Sequence, residues 1–359
     1  MLLTVMSSLS AVWSKAWPFL VAILFFGVII MVHELGHFVF AKLFKVKVND
    51  FALGMGPALL KFVKGDTTYA LRLFPIGGYC NMEGEDEESA DTKSFSQKPV
   101  WQRFIIVAAG ATVNLLLGFL LVVVMLSRQD LIGTPNIKSF YENASSAATG
   151  LKEGDRILEI DGKRVFSQYD VSFLMMRGKD GVIDFRVERG GKKMDVNDVR
   201  FETREIEGKT VIVYDFIIVG VEPSFFNVVK ASAVETLSIA RIVWISLFDL
   251  VTGRYGLSEI SGPIGVVSFI AEAAEESVKT DLTPVLSLMA LISVNIGIFN
   301  LLPVPALDGG RLFFMLIEII LRKPVPQKYE RWIHAAGLIA LFIFMAVISL
   351  KDILSLIRG

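Results

Sequence analysis

The chain has 359 residues, of which 53% are hydrophobic and 20% charged, with a mean hydropathy of +0.56. That is too apolar for an ordinary soluble domain of this size, and a net charge of -1 from 36 basic and 37 acidic residues leaves no basic field for DNA or RNA. A single cysteine, Cys80, excludes an internal disulfide, so any portion outside the cytoplasm folds on its apolar core alone.

Lys15 precedes an apolar run at 18–44 that is longer than a signal-peptide core and lacks a small-residue cleavage site, so a retained membrane span is expected. About 20 apolar residues cross a bilayer core, and 104–126, 284–302 and 333–350 meet that standard as well. The segment 307–321 is also apolar. A proline-rich break separates it from the third span, so it is expected as a short second half returning at the membrane edge. Lys42, Lys45 and Lys47 follow the first span, and Arg322, Lys323, Lys328 and Arg331 precede the last. The positive-inside bias places both connections in the cytoplasm, with both chain ends outside.

The polar block 128–281 must then be extracytoplasmic, which the bias tolerates because long loops translocate regardless of charge. It looks globular: 150–162 reads as turn, strand, turn, 167–177 as helix, and 182–188 and 210–221 alternate as strands do. Lys230, Glu235, Arg241 and Asp249 interrupt the apolar stretch 225–250, so an interfacial amphipathic helix is expected there rather than a fifth span. The acidic run 83–88 reads as a solvated loop.

His33-Glu34-Leu35-Gly36-His37 falls inside the first span, where ionisable side chains are costly enough that function is the default explanation. Residues four apart share a helix face, so both imidazoles can reach one metal ion while Glu34 stands one position round. Zinc lowers the pKa of bound water from about 15.7 to about 7, and a neighbouring carboxylate can take the proton as an amide carbonyl is attacked. Two histidines merely bridging helices would leave Glu34 without a task. A catalytic zinc needs a third ligand. His334, at the start of the last span, reads as an interfacial ring. Asp308 is favoured, because Pro303 and Pro305 force non-helical backbone before it; an N-cap is its alternative role, and Glu318 and Asp249 adjoin no helix break. By helical rise the metal would lie about 22 Å from Pro18 and about 14 Å from Lys42, nearer the cytoplasmic face.

With these residues the chain resembles the site-2 protease family of intramembrane zinc metalloproteases, of the bacterial RseP/RasP type with a single PDZ module. The family pattern HExxH followed by NxxPxPxLDG is matched by His33, Glu34, His37, Asn300, Pro303, Pro305, Leu307, Asp308 and Gly309. The resemblance implies Zn2+ as cofactor, His33, His37 and Asp308 as its ligands and Glu34 as the catalytic base. It also implies that Asn295 and Asn300 hold the substrate backbone, beside the Pro303 and Pro305 loop. Residues 51–57 and 73–79 resemble the family's membrane-reentrant β segment, and an edge strand at 68–73, with Tyr69, Leu71 and Leu73, is expected to receive an unwound substrate. The segment 150–162 resembles a bacterial PDZ signature with Thr149 in place of alanine. Two departures stand out: Ala109-Gly110-Ala111-Thr112-Val113-Asn114 lacks the family's proline, and Met55 replaces a residue that is often aromatic. Ser261-Gly262-Pro263-Ile264-Gly265 also resembles a family segment and reads as a turn at a helix start.

The expected fold is a multi-pass α-helical membrane protein with four transmembrane helices, a membrane-reentrant β segment and an inserted extracytoplasmic PDZ (α+β) domain. Its parts are a first transmembrane helix at 1–44, a cytoplasmic-side reentrant segment and loop at 45–103, and a second transmembrane helix at 104–127. The PDZ domain follows at 128–223, then an amphipathic helix and linker at 224–283, a third transmembrane helix at 284–321, a basic loop at 322–332 and a fourth transmembrane helix at 333–359. The expected function is site-2 cleavage, in a bacterial inner membrane, of single-span proteins already cut by another protease, with anti-sigma factors and remnant signal peptides as implied substrates. In that reading the PDZ module and the helix at 225–250 act as a size filter. The partners are those substrates and the lipid bilayer, with no nucleic acid. A non-catalytic PDZ scaffold with structural zinc is the alternative; structural sites close with four protein ligands, and a scaffold gives Glu34 nothing to do. A metal transporter would need polar residues along several spans.

Overall fold

The computed structural model describes residues 2–85, 87, 89–178, 180–206, 209–254 and 261–358. The chain forms two compact units, Met1–Leu121 together with Asp249–Gly359, and Val122–Phe248. Among the described residues four helical stretches are long and apolar enough to cross a membrane: Ala16–Leu43, Val100–Ser127, Thr283–Leu301 and Lys328–Leu354. They coincide with the four expected spans. The chain is a membrane protein.

The first unit opens with α1 (Leu2–Leu43), which continues well before the apolar run and carries Pro18 inside it. A hairpin of β1 (Val48–Lys64) and β2 (Thr67–Met82) follows. Its register is folded back on itself: Phe51 pairs with both Cys80 and Tyr69, and Tyr69 pairs with both Phe51 and Phe62. Residues 68–71 are therefore flanked on both sides, which corrects the expected free edge over those four positions, while Arg72 pairs on one side only. The long β1 curls past Gly54 and Gly56, whose positive φ angles of 84° and 85° let the strand bend, so its far half covers the side on which a substrate was expected. The outer side of residues 78–82 has no strand partner among the described residues.

α2 (Val100–Ser127) crosses α1 at close range. A Cβ added to Gly36 would lie 2.7 Å from the Ala109 carbonyl oxygen, so only a small residue admits this approach. Ala41, Val46, Ile106, Val107, Leu312 and Met315 form one apolar cluster, and Ala22, Phe25, Ile29, Ile270 and Ile292 form another. The expected solvated loop at 83–88 includes residues 86 and 88, which lie outside the described residues.

The second unit is a sheet domain. In chain order it contains β3 (Ile132–Phe140), α3 (Ser145–Ala148), β4 (Arg156–Ile160), β5 (Lys163–Arg164) and α4 (Gln168–Met175). It continues through β6 (Val182–Arg189), β7 (Lys192–Arg200), β8 (Thr203–Ile206), β9 (Lys209–Ile212) and β10 (Phe216–Val221). The main sheet runs β10-β3-β4-β6-β7, with β5 paired to β4, and β8 and β9 form a separate hairpin. The alternation at 182–188 is a strand; the run expected as one strand at 210–221 is two, β9 and β10. Ile137, Ile157, Ile160, Leu174 and Phe185 fill the core. Ser167 caps α4 in a reciprocal box with Asp170.

α5 (Phe225–Val251) is amphipathic: Val228, Ile239, Ile242 and Val243 are buried while Phe226, Leu237, Trp244 and Phe248 are exposed. It is not among the helices apolar enough to span. The rest of the expected linker is corrected, because 263–279 is a helix, α6 (Pro263–Lys279), with proline in its first turn. The N–H groups of Gly262 and Gly265 donate to Asp352 Oδ2 at 2.9 and 3.0 Å, which satisfies donors that a helix start leaves open. α7 (Thr283–Leu301), α8 (Asp308–Leu321) and α9 (Gln327–Arg358) complete the first unit, and Asp352 belongs to α9.

Candidate metal centre

His33 and His37 lie one turn apart on α1, and Asp308 opens α8 directly after the proline loop. Helical spacing stacks the two imidazoles, and Asp308 Oδ2 lies 3.2 Å from Nε2 of each. The two Nε2 atoms are themselves 3.2 Å apart. Asp308 is the one acidic candidate brought to the histidines: Glu318 pairs with Arg103 at 2.6 Å, and Asp249 lies near the end of α5.

The donor chemistry tests whether a metal fits. His37 Nδ1 is 2.9 Å from the Ile106 carbonyl oxygen, an acceptor only, so Nδ1 carries the proton and Nε2 of the neutral ring offers a lone pair. That lone pair faces a buried carboxylate oxygen with no well-aligned hydrogen-bond donor among the described residues. A cation between the three atoms resolves the opposition. Tetrahedral zinc with bonds of about 2.0–2.1 Å sets its ligands about 3.3 Å apart, which the observed triangle matches. The residues fit zinc.

Surrounding groups hold this arrangement. Asn114 on α2 lies 3.5 Å from His33 Nδ1, and its Oδ1 is buried without a hydrogen-bond partner. Turning the amide over would let Oδ1 accept from an Nδ1–H and would orient the ring. Ala306 takes φ +78°, a strained value for a residue with a Cβ, and its N–H donates to His334 Nδ1 at 3.0 Å. His334 thus anchors the loop that delivers Asp308. A Cβ on Gly110 would collide with His37 Nε2, which explains a bare position there. Glu34 lies beside the two histidines and lines the same cavity as Cys80. His33, Glu34, His37 and Asp308 line one cavity of about 710 Å³ with residues 79–82 of the hairpin, Arg311 and His334.

This membrane-depth cluster belongs to a chain whose residues 21–344 match the profile of peptidase family M50. The chain belongs to peptidase family M50. A Fusobacterium nucleatum protein named as a zinc metalloprotease is 36% identical over 355 residues, covering 93% of this chain and 98% of that one. A Clostridium perfringens protein named in the same way is 34% identical over 338 residues, covering 93% and 97%. The regulator of sigma-W protease RasP of Bacillus subtilis is 27% identical over 413 residues, covering 92% and 97%. This M50 peptidase is a zinc metalloprotease, a member of the site-2 protease family that the motifs resembled.

The other expected site residues of the M50 peptidase are dispersed. Asn295 and Asn300 occupy the last two turns of α7, and five residues turn a helix by about 140°, so they leave it on different faces. Neither lines the cavity of the metal cluster, and Asn295 Oδ1 is buried without a hydrogen-bond partner. Pro303 is exposed, and Pro305 packs closely against Gly337 of α9. The ring of Tyr69 stacks on Phe62 at 5.0 Å, and Leu71 and Leu73 are exposed. The roles of Asn114 beside His33 and of His334 against Ala306, and the presence of Arg311 and of the wall contributed by α9, were not anticipated. The one available signal was polar or charged residues inside otherwise apolar helices.

Proposed function

We propose that this M50 peptidase is an intramembrane endopeptidase that performs site-2 cleavage of single-span membrane proteins after another protease has removed their outer domain. Anti-sigma factors and remnant signal peptides are the substrate classes, in keeping with the name of the sigma-W regulator among its relatives. The observation that carries the reading is the triangle of donor atoms 3.2 Å apart, His33, His37 and Asp308, set beside Glu34 within an apolar helix.

His33, His37 and Asp308 would hold zinc, which would lower the pKa of a bound water and polarise the scissile carbonyl. Glu34, set beside the three donor atoms, would serve as general base toward such a water and as the acid for the leaving nitrogen. His37 keeps Nε2 available by donating Nδ1–H to Ile106, and Asn114 orients His33. The scissile carbonyl is engaged in the substrate helix until that helix unwinds, and unpaired backbone in lipid costs several kcal/mol per group. Residues 78–82 offer the unwound segment an open strand edge beside Glu34, in a hairpin that reenters the membrane. Asn295 and Asn300 steady the substrate backbone, and the Pro303 and Pro305 loop shapes the approach to Asp308.

The sheet domain acts as a PDZ module which, with α5 lying on the membrane surface, admits shortened stubs and excludes bulky ectodomains. It faces away from the cytoplasm of a bacterial cell whose inner membrane holds the enzyme, and the metal centre lies toward the cytoplasmic side. The deciding experiment incubates a tagged single-span stub with purified wild type and Glu34→Gln, with zinc measured in both. Wild type cleaves, and the variant keeps zinc but cleaves about 10²–10⁴-fold more slowly; equal cleavage by both would refute the assignment of Glu34.

A further inference from the structure

Positions 308, 311, 315 and 318 recur at steps of three and four, which puts Asp308, Arg311, Met315 and Glu318 on one face of α8. Three of the four are ionisable, in a helix otherwise almost wholly apolar, and charge at membrane depth is retained where it is used. Asp308 belongs to the metal centre. Arg311 pairs with Glu85 after the hairpin, and Glu318 pairs with Arg103 of α2 at 2.6 Å.

Two cavities follow this stripe. The first holds the metal cluster. The second, about 940 Å³, lies between residues 89–100, α8 from Arg311 to Glu318, and residues 324–326. Glu85, Arg311 and Glu330 border both, so a chain leaving the first cavity on this side runs along them into the second. Its walls carry acidic Glu85, Glu318 and Glu330 and basic Lys98, Arg103 and Arg311. Such walls suit neither lipid nor an apolar span. Pro99, Pro324 and Pro326 also line it, and they offer a passing backbone no N–H, so side chains rather than strand pairing would be recognised there.

An enzyme that cuts one bond of a continuous polypeptide must house the residues on both sides of that bond. We propose that the second cavity is an exosite for the polar, charge-bearing stretch of substrate that continues from the scissile bond out of the bilayer, past the Glu85–Arg311 pair. The inference rests on the peptidase reading of the metal centre. From Arg311 to Glu318 the helix rises about 10 Å, matching about three residues of extended chain. Selectivity is therefore read in about three flanking residues of mixed charge, while the strand edge beside Glu34 holds the scissile segment with little regard for sequence.

The test uses the full-length, zinc-loaded Glu34→Gln protein, which holds substrate without turning it over. The probes are two labelled single-span peptides with identical spans, one flanked on the cytoplasmic side by Lys, Glu and Arg, the other by Gly and Ser. Binding in detergent micelles is expected to be about tenfold tighter for the charged flank. Ala90→Trp and Val325→Trp, which place bulk at two separate walls of the cavity, are each expected to abolish that preference. No preference, or one that survives both substitutions, overturns the exosite. Cleavage of the same peptides by the protein with Glu34 intact is scored separately: a flank preference in binding without any cleavage supports the exosite and removes the peptidase reading.

Discussion

Two aspartates, Asp170 fully buried in one unit and Asp308 half-buried in the other, are surrounded in opposite ways. Asp170 of the sheet domain accepts from the N–H groups of Phe166 and Ser167 at 2.8 and 3.1 Å, from the Ser238 hydroxyl at 2.8 Å and from Arg241 at 2.6 Å. Asp308 of the membrane unit turns its Oδ2 to two imidazole nitrogens at 3.2 Å, and among the described residues that oxygen has no well-aligned hydrogen-bond donor. A carboxylate saturated by donors is finished as part of the fold, here tying α5 to α4. One facing lone pairs is held for a cation that the chain does not itself supply. Local saturation separates the structural acid from the functional one.

The sharpest break of that contrast is Asp308→Ala, which should abolish both zinc retention and cleavage, read by metal analysis and by the stub assay. Next, Glu34→Gln should lower cleavage by about 10²–10⁴-fold with zinc retained, because it removes proton transfer and leaves the ligands in place. Asn114→Leu takes away the group that orients His33 and should weaken zinc affinity by about 10–100-fold in a competition titration with a chelator. Asp170→Ala should leave zinc untouched and destabilise the sheet domain by about 2–3 kcal/mol in denaturant unfolding, since Arg241 keeps some access to water. Zinc loss in that variant would erase the distinction between the two acids.

The smallest effect belongs to Glu235, whose carboxyl is pushed up to about 7 by burial, with the nearby Asp170 adding to the shift. Its folded pKa lies above that of the unfolded chain. The stability it contributes is therefore fully present below about pH 4.3 and is lost as pH rises through about 7. Hydrogen exchange in α5 should accelerate from pH 5 to 8 beyond its intrinsic base dependence, and Glu235→Gln should flatten that excess. An unchanged profile in the variant would contradict the assignment.

How much was legible follows from how local each signal is. The pairing of His33 with His37 could be read because i and i+4 fix a shared helix face without tertiary information. Asp308 stood out from Glu318 and Asp249 through the helix break before it, and the pairing of Glu318 with Arg103 now accounts for one rival. The spans were legible from apolar length. Asn114 near His33, His334 against Ala306 and Arg311 on Glu85 join segments far apart in sequence, and no local pattern announces them. Residues 68–71 were misread as an edge because β1 is long enough to pair twice, which depends on glycine bends rather than on alternation. α6 was missed because Glu272, Glu275 and Glu276 dilute its apolar face, although Gly262-Pro263 marked its start.

The central claim is that His33, His37 and Asp308 grip one zinc ion and leave a position open for hydrolysis. X-ray absorption of the zinc-loaded protein tests it most directly. The account predicts a first shell of nitrogen and oxygen alone at about 2.0–2.1 Å with the signature of two imidazoles, one of them lost in His37→Ala. A sulfur scatterer at about 2.3 Å would put Cys80, which lines the same cavity, on the metal and contradict the assignment.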